Sequence, residues 1–388
     1  MKVALVAGET SGDLLAGLLM DGLAQRWPQL QTFGIGGVRM VERGFAAWWP
    51  SDKLAVRGYV EVLRHYREIV GIRTQLKNRL LALSPQDRPD VFIGVDAPDF
   101  NLDLARNLRE AGIKTIQFVS PSIWAWRAER IDKIKASVDH VLCIFPFEPA
   151  LYAQHGVSAS YVGHPLANVI PLNPDRHAAR EVLGLAQDDV VVAVLPGSRA
   201  SEVAYIGQTF AKAMALMLLT QPRLKIVIPA VPLLLGEITE QVTDALKRAG
   251  IDKTKAQNVQ IVQGQSHTAL AACDVSLVAS GTATLEAALF KRPMVIAYKM
   301  NRISWLLMRQ KRYQPWVGLP NILCADFVVP ELLQGEASPE ALAKATLAWL
   351  DEPDKILAVQ TRFTALHHEL LRDTPRLAAA DVAQVLNQ

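Results

Sequence analysis

Four short segments set glycines, hydroxyls and charged residues where an apolar run gives way to a helical pattern. The first is Gly8-Glu9-Thr10-Ser11-Gly12-Asp13, behind the apolar run Val3–Ala7. Its glycines permit a tight turn, and free amides at a helix start favour an anion. The glycines stand four apart, so this is not the G-x-G-x-x-G pattern; a plain capped turn, with Ser11 or Asp13 as N-cap, fits the same residues. The second is Gly94-Val95-Asp96-Ala97-Pro98-Asp99-Phe100. A carboxylate at a strand's carboxyl end can take a proton from an attacking hydroxyl, which suits Asp96. Asp99 is better placed to cap the following helix, and a reading with both as caps stands beside it. The third, Leu195-Pro196-Gly197-Ser198-Arg199, resembles a phosphate grip, since a guanidinium binds two phosphate oxygens at once. Arg199 would stabilise the charge on a departing diphosphate; an Arg in a surface loop is the plain alternative. The fourth is Ser280-Gly281-Thr282-Ala283-Thr284-Leu285-Glu286, where hydroxyls and amides gather at one helix N-terminus. Glu286, four after Thr282, can hold ribose hydroxyls, or Thr282 caps the helix and Glu286 complements its dipole.

Strands must carry these segments. In the N-terminal half the apolar runs are Val3–Val6, Thr32–Ile35, Val91–Val95, Thr115–Phe118 and Val138–Cys143. Helical patterns begin near Asp13, Tyr59, Asn101, Arg127 and Glu148. Runs of about five, separated by helices, predict buried parallel strands in βα units. Prolines at 165, 171 and 174 mark a linker. The alternation restarts at Val190–Leu195 and continues at Lys225–Pro229, Val259–Val262, Val275–Ala279 and Met294–Ala297; from Pro339 the chain is helical. The prediction is an α/β protein of two doubly wound Rossmann-like domains, 1–170 and 171–388, facing across a cleft. The last helices are free to pack back on the first domain. Ligands in such sheets bind at the carboxyl ends of strands.

The 388 residues exceed one ordinary domain of roughly 100–200. A net charge of +3 does not point to nucleic acid. Cys143, Cys273 and Cys324 lie far apart, without metal-ligand spacing or a disulfide framework, which fits a reducing compartment. The eight histidines are scattered, so Ser-His-Asp and Cys-His catalysis find no support. His164 stands at the expected junction, as a ligand contact or a hinge-loop hydrogen bonder. No D-x-D follows a strand, so no metal is required. The start lacks the order of a signal peptide, and no apolar run approaches the roughly 18 residues of a membrane span.

Residues 51–80 carry seven Lys or Arg against three Asp or Glu. The same segment holds Tyr59, Val60, Val62, Leu63, Tyr66, Ile69 and Val70. A basic amphipathic helix with excess apolar area suits an anionic lipid surface, and an ordinary packed helix is the alternative. Arg302–Trp316 mixes basic and aromatic residues in the same way.

Taken together, these segments resemble the lipid-A-disaccharide synthase family, glycosyltransferase family 19. The resemblance rests on Val6 to Asp13, Gly94 to Phe100, Val119-Ser120-Pro121-Ser122-Ile123-Trp124-Ala125-Trp126-Arg127, Phe145-Pro146-Phe147-Glu148, Leu195 to Arg199, Ala279 to Glu286, and Leu319-Pro320-Asn321. They run in order along almost the whole chain; the loop Ser84–Arg88 looks longer than the family's. The resemblance implies a GT-B fold and an inverting, metal-independent transfer without a cofactor. The donor would be UDP-2,3-diacylglucosamine and the acceptor 2,3-diacylglucosamine 1-phosphate, joined β(1→6). It implies Asp96 as general base, with Arg199 and Ser11 beside it in the catalytic set. Gly197, Ser198, Ser280, Gly281, Thr282, Ala283, Thr284 and Glu286 would hold UDP; Gly8, Glu9, Gly12 and Asn321 would line the cleft. It further implies a cytoplasmic protein peripheral on the inner face of the bacterial inner membrane, touching lipid through Val60, Val62, Leu63, Tyr66, Ile69 and Val70. A homodimer with exchanged C-terminal segments is expected on the same ground. Rival readings are a UDP-N-acetylglucosamine 2-epimerase, a peptidoglycan lipid-carrier transferase, or a non-catalytic membrane-surface binder.

Overall fold

Short runs of Val, Ile and Leu with no polar alternation are stable only where a sheet is covered on both faces. The computed structural model contains two such sheets. It describes residues 1–8, 10–54, 59–124, 129–301, 305–306 and 314–388, with the side chains of 10, 11, 52 and 59–66 outside that description. Met1–Asn168 with Glu369–Gln388 form one compact unit, and Val169–His368 the other.

The first unit holds β1 (Lys2–Ala7), β2 (Gln31–Gly36), β3 (Ala46–Pro50), β4 (Val91–Val95), β5 (Lys114–Phe118), β6 (His140–Cys143) and β7 (Ala159–Tyr161). Their order is β3-β2-β1-β4-β5-β6-β7, and each pair is parallel. The order reverses between β1 and β4, leaving a crevice at their carboxyl ends. Strands β3 and β7 are edges that the apolar pattern did not reveal. Ala46-Ala47-Trp48-Trp49-Pro50 is half exposed and ends in proline, and β7 has three half-buried residues. Edge strands need no continuous apolar run.

The second unit holds β8 (Val191–Leu195), β9 (Lys225–Ala230), β10 (Val259–Gln263), β11 (Val275–Ala279), β12 (Met294–Tyr298) and β13 (Glu331–Leu333). The order β10-β9-β8-β11-β12-β13 is again all parallel and reverses between β8 and β11. The segment Ala200–Thr220 is long and apolar enough to cross a bilayer, contrary to the sequence expectation; 61% of its apolar window is buried inside the protein, as in a core helix.

The proline-marked stretch is not simply a loop, since Pro165–Val169 forms a helical turn. Near the other end the helix Pro353–Leu370 carries the chain back to the first unit at its last two residues. There Tyr161 Oη donates to the carbonyl of Glu369 at 2.8 Å and Ser160 Oγ bonds the carboxylate of Asp381. The final helix, Thr374–Leu386, packs on the helix Thr10–Arg26 of the same unit.

Candidate active site

In the first unit, Ala7 pairs with Val95, so the turn beginning at Gly8 and the turn beginning at Asp96 lie side by side where the strand order reverses. A Cβ on Gly8 would sit 3.2 Å from that of Ala97. The helix after β4 begins at Pro98, because proline fits the first helical turn and lacks the N–H that is orphaned there. Asp99 therefore lies inside the helix instead of capping it, and its carboxylate pairs with Arg130 at 2.6 Å. Asp96 is half-buried, with φ of 51°, and Ala97 follows at 40°. The Asp96 amide donates to the carbonyl of Phe118 at 2.9 Å. Its carbonyl accepts from Asn101 Nδ2 at 2.8 Å and Gln117 Nε2 at 3.0 Å.

Asp13 is not the cap of its own helix. It accepts from the amides of Gly37, Arg39 and Met40 at 2.9, 2.9 and 3.2 Å, and so caps the short helix Val38–Val41. Gly12 is buried, while Glu9 and the side chain of Ser11 lie outside the described residues.

The Phe145–Glu148 and Ser120–Trp124 segments meet in a buried polar knot. Glu148 is 1% exposed and accepts from Trp124 Nε1 at 2.9 Å and from the Phe145 amide at 3.0 Å. Ser120 Oγ and Tyr152 Oη lie 2.8 Å apart beside it. Burial pushes the Glu148 carboxyl up to about 7, against the hydrogen bonds that favour its charged form. His164 is buried, with Nδ1 accepting from the Leu166 amide at 3.2 Å and its ring 5.4 Å from that of Phe145. Burial lowers its titration to about 4, so it is a neutral hydrogen bonder within its own loop.

In the second unit, Leu195 pairs with Val278, which brings the Pro196–Arg199 turn beside the Ser280–Thr282 turn at the other reversal of strand order. The amides of Ser198 and Arg199 donate to Glu202 Oε2 at 3.0 and 3.2 Å, and Arg199 Nη1 to Oε1 at 2.9 Å. Two amides and a guanidinium thus converge on one anionic group. Gly281, at φ 154° and ψ −162°, occupies a region essentially restricted to glycine. It opens the helix Thr282–Leu289, which has no side-chain cap. The capping role read for Thr282 is absent; instead Thr284 Oγ1 donates to the Gly281 carbonyl at 2.8 Å. Ser280 and Ala283 are half-buried, and Gly281 and Thr282 are exposed. The uncapped amides therefore present positive partial charge beside Arg199. Glu286 Oε2 lies 3.7 Å from His267 Nε2, and burial raises its carboxyl against the pull of that histidine.

Asn321 is fully buried. Its amide donates to the Val329 carbonyl and Glu331 Oε1 and accepts from the amides of Val328 and Val329, at 2.8–3.0 Å. With its hydrogen-bonding capacity used internally, it fixes a loop of the second unit in place of lining an open site.

Among the described residues no group of three His, Cys, Asp or Glu has metal-binding geometry. The basic helix spans Tyr59–Ala82, and the side chains of Val60, Val62, Leu63 and Tyr66 lie outside the described residues, as do residues 302–304 and 307–313 of the second basic-aromatic segment. Ile69 is half-buried and packs against the first unit's core, and Val70 is also half-buried. Arg73 pairs with Asp103, Lys53 with Glu68, and Arg79 lies 3.8 Å over the ring of Trp48.

A family model described as lipid-A-disaccharide synthetase matches residues 3–385. The chain belongs to this family. It is 63% identical over 391 aligned positions to the lipid-A-disaccharide synthase of Albidiferax ferrireducens, covering 100% of this chain and 97% of that protein. Solved structures share the fold at much lower identity. The UDP-GlcNAc 2-epimerase of Neisseria meningitidis bound to UDP-GlcNAc superposes with a TM-score of 0.63 at 11% identity, covering 100% of both chains. Acinetobacter baumannii MurG gives 0.53 at 14%, covering 100% of this chain and 99% of that one. Within the lipid-A-disaccharide synthase family, then, this member has the GT-B fold: two parallel-sheet α/β units and a helical C-terminus.

Proposed function

We propose that the chain moves 2,3-diacylglucosamine from UDP to the 6-hydroxyl of 2,3-diacylglucosamine 1-phosphate, giving the β(1→6) disaccharide 1-phosphate and UDP. The observation that carries this reading is that both reversals of strand order hold complementary chemistry. The first unit has a carboxylate on a constrained turn; the second has a guanidinium and two loop amides that hold the Glu202 carboxylate, in the turn beside the uncapped start of the helix Thr282–Leu289. Asp96 takes the proton of the acceptor hydroxyl as its oxygen bonds the anomeric carbon. The bond from that carbon to the diphosphate breaks, and the electron pair leaves on UDP. Arg199 and the amides at Thr282 meet the departing charge, a role a divalent metal would otherwise supply. Attack opposite the leaving group inverts the anomeric configuration. Gly197, Ser198 and the Ser280–Glu286 turn hold the nucleotide in this reading, with Glu286 on the ribose.

Both substrates carry acyl chains, which supports a cytoplasmic protein drawn to the inner face of the inner membrane by the start of the basic helix. Exchange of Glu369–Gln388 between two copies is part of the proposal, supported by the membership of that segment in the first unit although it is remote in sequence. The test is UDP release from the acylated donor with and without acceptor. Release that needs both sugars supports the transfer. Conversion of UDP-N-acetylglucosamine alone would favour the epimerase reading.

A further inference from the structure

Asp96 and Ala97 are consecutive non-glycine residues in the left-handed region, at φ 51° and 40°. Such a pair persists only where the surroundings over-determine it. Two buried amides do so here. Asn101 Nδ2 reaches the Asp96 carbonyl at 2.8 Å and lies 3.4 and 3.5 Å from those of Val95 and Val6. Gln117 Nε2 reaches the same Asp96 carbonyl at 3.0 Å and lies 3.3 Å from those of Phe118 and Val119. The donor ends thus face backbone carbonyls from β1, β4 and the end of β5. The acceptor ends, Asn101 Oδ1 and Gln117 Oε1, are buried with no hydrogen-bond partner. An orphaned buried carbonyl is costly, and apolar side chains of similar volume would avoid that cost. The strand leading into Asp96 is itself shaped to admit the arrangement: a Cβ on Gly94 would come within 2.7 Å of Asn101 Cβ.

We propose that Asn101 and Gln117 are positioning residues for Asp96. Their two N–H donors lock the peptide after Asp96 in its left-handed turn, so the carboxylate leaves the strand end in one orientation. They act through Asp96 and not on substrate, and the proposal rests on the reading of Asp96 as general base.

The test uses the full chain with both acylated glucosamines, measuring kcat, KM, UDP affinity, thermal unfolding and the pH profile. Gln117→Met keeps the volume and removes the donor. It should lower kcat roughly 10- to 100-fold, the scale of a small misplacement of a reacting group, while KM and UDP affinity stay within about threefold. Asn101→Leu in that background should add less than it does alone, because both amides act on one carbonyl. Gln117→Glu donates only when protonated, so its kcat relative to the parent should recover as pH falls, a response a merely structural residue would not give. A folded Gln117→Met with parental kcat, or a Gln117→Glu profile parallel to the parent's, overturns the proposal. Should Gln117→Met fail to fold, the Gln117→Glu profile decides. Asp96→Asn run in parallel separates the two layers. An inactive Asp96→Asn beside a fully active Gln117→Met removes the positioning role alone, whereas an active Asp96→Asn removes the base assignment and the positioning with it.

Discussion

At the scale of single residues, the turn at Asp96 and the grip at Arg199 should fail in different ways. Asp96→Asn should lose roughly 10²–10⁴-fold in turnover, the contribution of a positioned base, while UDP affinity, measured calorimetrically, stays unchanged. Arg199 is 57% exposed on its side chain and pairs with a residue three positions on, a kind of contact worth little to stability. Arg199→Ala should therefore cut the rate roughly 10²-fold or more at an unchanged melting temperature; parental rates would remove its role at the diphosphate. Glu148 gives a pH signature. Its carboxyl is raised from 4.5 to about 7, first by burial, so the folded chain holds that proton more tightly than the unfolded one. Its stabilising contribution is complete below pH 4.5 and is lost as pH rises to about 7. Glu148→Gln should flatten the fall in melting temperature across that window; an unaltered slope would contradict the assignment. The turns that hold Asp96, Arg199 and Gly281 were legible as turns because each comes within four residues of the end of an apolar run. Gln117 was not, since its one signal is an amide inside the strand Lys114–Phe118, and nothing local says that it serves a carbonyl 21 residues earlier.

At the scale of elements, the helix Tyr59–Ala82 is anchored in the first unit by its later turns. Ile72, Leu76 and Leu80 are buried in the first unit's core, at 6%, 0% and 0% exposure. Leu76→Ala should cost roughly 2–5 kcal/mol, as cavity-forming core substitutions do, and chemical denaturation would read it. Replacing Val60, Val62 and Leu63 with serine should leave the denaturation midpoint nearly unchanged and reduce retention on anionic vesicles; a collapse of stability would show that face to be core. The period of apolar residues revealed the helix but does not tell core contact from lipid contact, because both ask for the same residue types. Helix starts were displaced by three residues at Thr10, Pro98 and Arg130, and at Pro98 the proline sets the boundary. The strands missed were β3, β7 and β13, each too short or too exposed to leave an apolar run.

At the scale of the whole molecule, the repeated βα pattern foretold two parallel sheets and not their strand order. The order matters most to function, since the reversals between β1 and β4 and between β8 and β11 gather segments separated by about 80 residues in each unit. The return of the C-terminal helix to the first unit likewise depends on contacts such as Tyr161 with Glu369, which no local pattern encodes. The central claim is a single transfer in which the acceptor hydroxyl is activated and the diphosphate leaves. The most direct measurement is mass spectrometry with anomeric NMR of the products formed from UDP-2,3-diacylglucosamine and 2,3-diacylglucosamine 1-phosphate. The account predicts a β(1→6)-linked disaccharide 1-phosphate and stoichiometric UDP, both abolished by Asp96→Asn. Intact starting sugars after incubation with the folded protein, or an α-linked product, would contradict it.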